Sequence, residues 1–243
     1  MNQVIDTICS HRSIRKFKET PLSDTQLEAI ITSAKSASTS SNVQAYSVIG
    51  VTDSGLKQQL AVLTGNQAYV AQCPLFLVWC ADLHRSKMAC EQRESTTAYI
   101  PTMENFIVST VDVALAAQNA ALAAESMGLG IVYIGGIRNN PGDVAALLRL
   151  PELVYPVFGM CVGVPDQVPS IRPRLDAKAV YHHNSYDSEH VAAGIESYDQ
   201  VMQEYYRGRQ KDTTWSNEMA DKFSKHARPH MRNFLEQQGF RFD

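Results

Sequence analysis

Two basic segments of the sequence have the residue types that bind phosphate. Residues 11–15 read His-Arg-Ser-Ile-Arg, and residues 172–174 read Arg-Pro-Arg. Arginine binds phosphate through two parallel hydrogen bonds, and the proline stiffens the second segment. Each segment alone is better explained as a helix end or a solvated loop, because cations are favoured at the negative C-terminus of a helix. The two segments together favour an anion site.

Three segments with small or polar side chains would let a ligand come close to the main chain. Ala37–Gln44 contains a run of hydroxyl groups, Gly65-Asn66-Gln67 reads as a turn, and Gly135-Gly136 follows a predicted strand. Glycine after a strand lets a ligand approach the backbone and accept hydrogen bonds from its N–H groups. A plain linker and an ordinary turn remain open for the first two segments. The glycine pair is the sharper indication of a site.

Several other chemistries lack their motifs. The sequence contains no G-x-G-x-x-G dinucleotide fingerprint and no G-x-S-x-G nucleophile elbow. His182-His183 and His190 are better explained as solvated side chains than as metal ligands, because adjacent residues of an extended segment point to opposite sides. No metal site is therefore expected. The sequence also offers no plausible catalytic acid–base pair, which makes a bound cofactor the natural source of chemistry.

The composition is that of a folded protein without the basic character of a general nucleic-acid binder. Of the 243 residues, 44% are hydrophobic and 19% are charged, and the net charge is −3. Five cysteines without a C-x-x-C pair indicate neither a disulfide framework nor a zinc site, and reduced thiols fit the cytoplasm. Asp6 and His11 stand where a secretory signal would be apolar. Residues 111–134 include Asp112 and Glu125, which predicts that this stretch is too polar to span a membrane.

Helices and strands must position the candidate segments. The clearest helix start is Ser23, which forms an S-x-x-Q capping box with Gln26. The longest helical signal is the alanine-rich stretch Met103–Met127, which Gly128 should end and which should lie at the centre of the fold or of a dimer. The other predicted helices are Asn2–Ser10, Gly55–Leu63 and one that opens at Asn140-Pro141, and the predicted strands are Tyr46–Val51, Leu75–Ala81, Ile131–Ile134 and Val157–Val164.

The sequence changes character after Pro165. Residues 165–186 contain three prolines and few apolar runs, so they should be extended. Helices should return around Ser188–Tyr206, Trp215–His226 and Pro229–Gln238, but with too few apolar residues for a separate core. We therefore predict a single domain over residues 1–243, with a core over residues 1–165 and a C-terminal arm over residues 166–243.

The order and spacing of these motifs resemble the nitroreductase superfamily over nearly the whole chain. The most similar branch is that of the bacterial oxygen-insensitive NADPH nitroreductases and NADPH–flavin reductases. The motifs are residues 11–15, 37–41, 65–67 and 123–136, Arg-Asn-Asn at 138–140, Arg-Pro-Arg-Leu at 172–175, Tyr205–Arg209 and Thr214–Ser216. The resemblance implies an α+β fold with a nitroreductase-like sheet flanked by helices, a long central helix and an extended C-terminal arm. It also implies a homodimer with FMN at two interface sites.

The resemblance further implies which residues bind FMN. They are His11, Arg12, Ser13, Arg15, Thr39, Ser41, Gln67, Tyr133, Ile134, Gly135, Gly136, Arg172 and Arg174. Within this set, His11, Ser13 and the two downstream arginines would hold the 5′-phosphate, and Arg15 would lie near the pyrimidine edge of the flavin. Thr39 and Ser41 would come from the partner subunit. Gln67 would bond the flavin or its ribityl chain, and the end of the strand at 133–136 would face the isoalloxazine ring.

A third basic segment, residues 207–211, is expected to bind the nicotinamide cofactor. Arg209 aligns with a family arginine that grips the 2′-phosphate of NADPH, and Arg207 and Lys211 are its candidate helpers. A solvated helix C-terminus explains the same cations and stays open.

The function that the resemblance implies is that of an FMN-dependent NAD(P)H oxidoreductase. Hydride would pass from NADPH to flavin N5 and then to a nitroaromatic compound, a quinone or free flavin, in a ping-pong cycle. No side chain is expected to act as a general acid. Two alternatives stay open from the sequence: a flavin-binding protein without enzymatic activity, and a reductase that supplies reduced flavin to a partner oxygenase.

Overall fold

The computed structural model describes residues 2–242, and they form an α+β fold. The helices are α1 (Gln3–Cys9), α2 (Asp24–Lys35), α3 (Ser54–Leu63), α4 (Ala68–Gln72), α5 (His84–Glu91), α6 (Met103–Ser126), α7 (Pro141–Leu147), α8 (Ser188–Arg207), α9 (Trp215–Phe223) and α10 (Met231–Gln237). The strands are β1 (Tyr46–Val51), β2 (Leu75–Asp82), β3 (Gly130–Ile134) and β4 (Val154–Gly163). Short 3₁₀ turns occur at Ser40–Asn42, Gly135–Arg138 and Ala177–Ala179.

The helix ends that the sequence predicts at Ser23, Gly128 and Pro141 occur in the structure. The Ser23 side chain accepts from the N–H of Gln26, and the Gln26 side chain accepts from the N–H of Ser23, which completes the capping box of α2. Gly128 has a φ of +77° and ends the turn after α6, a conformation that L residues with a Cβ rarely adopt. Pro141 occupies the first turn of α7, where its missing N–H costs nothing.

One antiparallel sheet of four strands runs in the order β1-β2-β4-β3. β2 is buried along its whole length, because β1 and β4 flank it and helices cover its faces. Trp79 and Phe76 are among its fully buried side chains. The helix α6 packs across this sheet with its alanine-rich face, which includes Ala116, Ala117 and Ala120. The prediction of a central alanine-rich helix is confirmed for the chain itself.

Two features of the strands and helices differ from the sequence prediction. β4 begins at Val154, three residues before the predicted start, and it includes Pro156, which lies opposite Cys80 where a bulge interrupts the register. Proline is tolerated at such a bulge, since no ladder hydrogen bond is required of it there. The short helices α4 and α5 were not predicted, and α5 buries none of its residues. Without a buried face it lacks the apolar periodicity by which a helix is recognised.

By length and composition alone, Met103–Ser126 could cross a membrane, which differs from the expectation that this part of the chain is too polar. The packing of this helix explains its apolar composition without a membrane, because one of its faces is buried in the protein core. Val113 and five alanines of this helix are fully buried in the core, and Asp112 is buried as well. A core helix of a folded domain has the same composition as a membrane span.

The described chain divides into two compact units. Residues 2–169 and 230–242 form the first unit, which contains the whole sheet, and residues 170–229 form the second. In the second unit, α8 packs against α9, and the rings of Tyr198 and Trp215 meet edge to face at 5.7 Å. The assignment of one domain with an arm from residue 166 stays a prediction.

Candidate functional site

The basic segment at residues 11–15 lies along the outer edge of β3. Ser13 forms an isolated parallel bridge with Ile131, and the N–H of Ile14 donates to the carbonyl of Ile131 at 2.9 Å. Gly130 permits this approach, because a Cβ there would lie 2.5 Å from Cγ1 of Ile14. The segment runs parallel to β3, so Arg15 follows Ser13 in the direction of the glycine end of the strand. The sequence motif is thus fixed to the sheet by backbone contacts.

The charged groups of this segment differ in how they are held. Nδ1 of His11 lies 2.6 Å from a carboxylate oxygen of Glu125 near the end of α6, and because a carboxylate only accepts, Nδ1 carries the proton. Arg12 donates from Nε to the carbonyl of Ser10 at 3.2 Å. Arg15 is exposed and forms no ion pair within residues 2–242. His11 therefore keeps Nε2, and Arg15 its whole guanidinium group, for a ligand.

The glycine pair after β3 packs against the turn that contains Gln67. A Cβ on Gly136 would lie 2.3 Å from the carbonyl oxygen of Thr64 and 2.4 Å from Nε2 of Gln67. Gln67 itself donates from Nε2 to the Thr64 carbonyl at 2.5 Å and accepts from the hydroxyl of Tyr69. These contacts place Gln67 beside Gly136. They also use both ends of the Gln67 amide within the protein.

The tyrosine of this strand faces inward. The Tyr133 hydroxyl donates to the carbonyl of Ala117 in α6 at 3.0 Å, and burial raises the pKa of Tyr133 well above its ordinary value, with the charge of Glu125 adding to the effect. The side chain of Ile134 is fully buried as well. Tyr133 and Ile134 can therefore contribute main-chain groups to a ligand at the strand end, but their side chains belong to the core.

Gly136→Ala should lower the melting temperature by roughly 2–12 °C. Overpacking costs about 1–3 kcal/mol, and in a chain of this size each kcal/mol shifts the transition by about 2–4 °C. Calorimetry of the purified variant measures the shift. Gly135→Ala is the matched control, because its Cβ would meet only Nη2 of Arg138, at an ordinary 3.6 Å. Equal melting temperatures for the two variants would show that Thr64 and Gln67 move aside without cost.

The hydroxyl-rich loop lies at the other edge of the sheet. Thr39 and Ser41 precede β1, whereas residues 11–15 flank β3, and two strands separate β1 from β3. With neighbouring strands about 4.8 Å apart, the two edges are roughly 14 Å apart. One chain therefore does not bring Thr39 and Ser41 to its own segment 11–15. Two backbone N–H groups of this loop donate to Asp112 of α6.

The second unit carries the remaining candidates. The hydroxyl of Tyr198 in α8 donates to the carbonyl of Pro173 at 2.7 Å, which fixes the residue between Arg172 and Arg174. Both arginines are exposed, and neither forms an ion pair with a carboxylate in the described part of the chain. Two guanidinium groups on either side of one anchored proline are suited to an anion with several oxygens.

The three cations at and after the end of α8 are held differently from one another. Arg209 lies over the ring of Tyr205 at 4.4 Å and donates from Nη2 to the hydroxyl of Ser170 at 2.9 Å. Lys211 pairs with Glu218 at 2.7 Å, and this hydrogen bond raises the pKa of Lys211 and lowers that of Glu218. Arg207 ends α8 and is exposed. Lys211 is therefore the least free of the three to contact a ligand phosphate.

Sequence reasoning overlooked two carboxylates that organise the candidate segments. Glu125 holds His11, and Asp112 holds the loop before β1. A signal for Asp112 was present, since it shares the buried face of α6 with Ser109 and Ala116 at helical spacing. A carboxylate on the core face of a helix requires hydrogen-bond donors, and here the loop before β1 supplies them.

Comparisons with known proteins agree over the full length of the chain. Residues 8–164 match the model of the nitroreductase family, and residues 172–243 match the model of the nitroreductase family, C-terminal domain. The chain is 42% identical to an FMN reductase (NADPH) of Bacillus subtilis over 246 residues, which cover 99% of both proteins. It is 45% identical to an NADPH-flavin oxidoreductase of Vibrio harveyi, with 98% of both covered. The solved structure of NfrA2 from B. megaterium superposes with a TM-score of 0.97 at 41% identity, covering 100% of both chains.

Proposed function

The chain belongs to the nitroreductase family, and from this premise we propose that it is an FMN-dependent oxidoreductase that takes its electrons from NADPH or NADH. Its proposed electron acceptors are nitroaromatic compounds, quinones and free flavin. The observation that carries the proposal is the anchoring of residues 11–15 beside β3, with the guanidinium group of Arg15 free of carboxylates among the described residues. We also propose the cytoplasm as its location, since the chain contains free cysteines.

The residues present fit FMN by their chemistry. A phosphate of nearly two negative charges needs several cations, which residues 11–15 and 172–174 offer. Gly135 has only Nη2 of Arg138 near the place of a Cβ, so the main chain at the strand end can approach a flat ring. A cation such as Arg15 near the pyrimidine edge would favour the reduced, anionic form of a flavin. FMN, when bound, supplies the hydride and electron chemistry, and the protein supplies position and charge.

A homodimer is the assembly that we propose. The α6 residues Met103, Ile107, Val111 and Leu115 recur every four positions and are each about half exposed, which makes one apolar stripe on the helix. α1 adds exposed apolar side chains of its own, among them Val4 and Ile8. An exposed apolar stripe of this kind is usually covered by a partner, and a second copy of the chain is the partner that we propose.

The proposed function is tested by the colour of the bound cofactor. The purified protein should be yellow, and its released cofactor should be FMN. Anaerobic NADPH should bleach the flavin absorbance, and an added quinone should restore it. Flavin that stays oxidised under NADPH would contradict the proposal and favour a flavin-binding protein without activity.

Arg209→Ala should raise KM for NADPH about tenfold, while KM for NADH and the turnover of quinone stay nearly unchanged. One lost contact of ~1.4 kcal/mol to the 2′-phosphate corresponds to this factor, and only NADPH carries that group. Steady-state kinetics with both nicotinamides measure the difference. Lys211→Ala is the matched control and should change KM less, because Glu218 already pairs with this lysine. Equal losses with both nicotinamides would mean that Arg209 shapes the site generally.

A further inference from the structure

Asp112 is a buried carboxylate whose partners are backbone N–H groups. Its side chain lies on α6 and is only 1% exposed. One carboxylate oxygen accepts from the N–H of Ser40 at 3.1 Å, and the other accepts from the N–H of Ala45 at 3.0 Å. No lysine or arginine pairs with it in the described part of the chain. Burying a charge without a counter-ion is costly, so these two hydrogen bonds must compensate it.

The loop that Asp112 holds, residues 39–45, has an unusual backbone. Ser41, Asn42 and Gln44 have φ values of 47°, 58° and 53°, which is the left-handed region that side chains with a Cβ rarely occupy. Such residues persist where the surrounding structure fixes them, and they cluster at functional sites. The loop is fixed from a second side as well, because Nη1 of Arg85 donates to the carbonyls of Gln44 and Tyr46 at 3.1 and 3.3 Å.

The loop lies away from residues 11–15 of its own subunit. It precedes β1, at the edge of the sheet opposite to β3 and residues 11–15. The side chain of Ser41 is exposed. The helix that carries Asp112 also carries the apolar stripe, whose member Val111 immediately precedes Asp112. The loop is therefore held next to the surface on which the second subunit is proposed to bind.

We propose that Asp112 is a positioning residue that holds loop 39–45 in the shape in which Thr39 and Ser41 complete the FMN site of the partner subunit. The inference rests on the proposed FMN-dependent function and dimer. Its physical basis is preorganisation: the carboxylate fixes both ends of the loop before the ligand arrives, so binding does not have to order three left-handed residues.

Asp112→Asn should lower the affinity of the dimer for FMN at least tenfold. The new NH₂ group replaces an acceptor that faces a backbone N–H, so one end of the loop loses its hydrogen bond. Fluorescence titration of the apoprotein with FMN measures the loss, and sedimentation verifies that the variant is still a dimer. Glu104→Gln is the matched control, because it makes the same change of charge at an exposed position of α6. FMN affinity equal to that of the control would overturn the proposal.

Mixed dimers separate positioning of the partner site from a general loss of folding. Asp112→Asn subunits are co-expressed with Arg15→Ala subunits under two different tags, and the mixed dimers are purified through both tags. The Asp112→Asn subunit keeps its own Arg15 and receives an intact loop from its partner. We expect one site per mixed dimer with wild-type affinity, although both parent homodimers bind FMN weakly.

The outcomes of the mixed-dimer experiment are distinct. A mixed dimer without any site of wild-type affinity would overturn the proposal, since it would mean that the loop acts in its own subunit or that Asp112 only supports folding. Wild-type protein that binds no FMN would instead overturn the proposed function, and this role of Asp112 with it. Half-stoichiometric binding at wild-type affinity supports the role of Asp112 in the partner site.

Discussion

Replacing both Arg172 and Arg174 with alanine should lower the affinity for FMN by roughly a hundredfold or more. Each charge-assisted contact with the phosphate contributes about 1.5–3 kcal/mol, and each ~1.4 kcal/mol is a factor of ten in affinity. The Arg174→Ala variant should lose FMN affinity by at least about tenfold, and it should purify pale. The anchoring of Pro173 by Tyr198 fixes the backbone between the two arginines, so the ligand has to order only their side chains. Titration of the apoprotein with FMN measures both losses.

Riboflavin provides the control for this prediction, because it has the flavin ring and the ribityl chain but no phosphate. Its affinity should be nearly equal in the wild type and the double variant. A similar loss for FMN and riboflavin would assign the two arginines to the general shape of the second unit. Full-strength FMN binding by the double variant would remove both residues from the site.

Introducing carboxylates into the α6 stripe should abolish the dimer, and FMN binding with it. The wild type should sediment at about twice 26.9 kDa at micromolar concentration, with an interface above roughly 2,000 Å². In a two-fold interface each new charge enters twice, so Ile107→Asp with Val111→Asp places four carboxylates on a desolvated apolar surface. Sedimentation should give a monomer, and the flavin should be lost because Thr39 and Ser41 of the partner are no longer present.

Val62→Asp is the matched control for this dimer prediction. Val62 is 59% exposed on α3, outside the stripe, so the same substitution there should leave the mass and the FMN content unchanged. A wild-type monomer that holds FMN tightly would contradict both the dimer and the partner roles of Thr39 and Ser41.

The sequence by itself was sufficient for the features that depend on neighbouring residues. The capping box at Ser23, the C-terminal Gly128 and the limits of β1 depend on groups within a few positions of one another, and all three occur as predicted. Family membership was also readable, because several short motifs in a fixed order carry more information than any one of them. Even so, β4 was predicted to start too late, since Pro156 discourages a strand unless a bulge beside it accommodates the proline.

The tertiary structure decided how the candidate residues are held. His11 and Glu125 are 114 positions apart in the chain, and Ser40 and Asp112 are 72 apart. No local pattern encodes such pairs, because they form only when α6 packs across the folded sheet and contacts both edge strands, β1 and β3. The same holds for Gly136, whose need to be glycine comes from Thr64 and Gln67 in a different turn. The sequence determined which residues are chemically suited to a flavin phosphate, and packing between distant segments determined which of them are free to bind it.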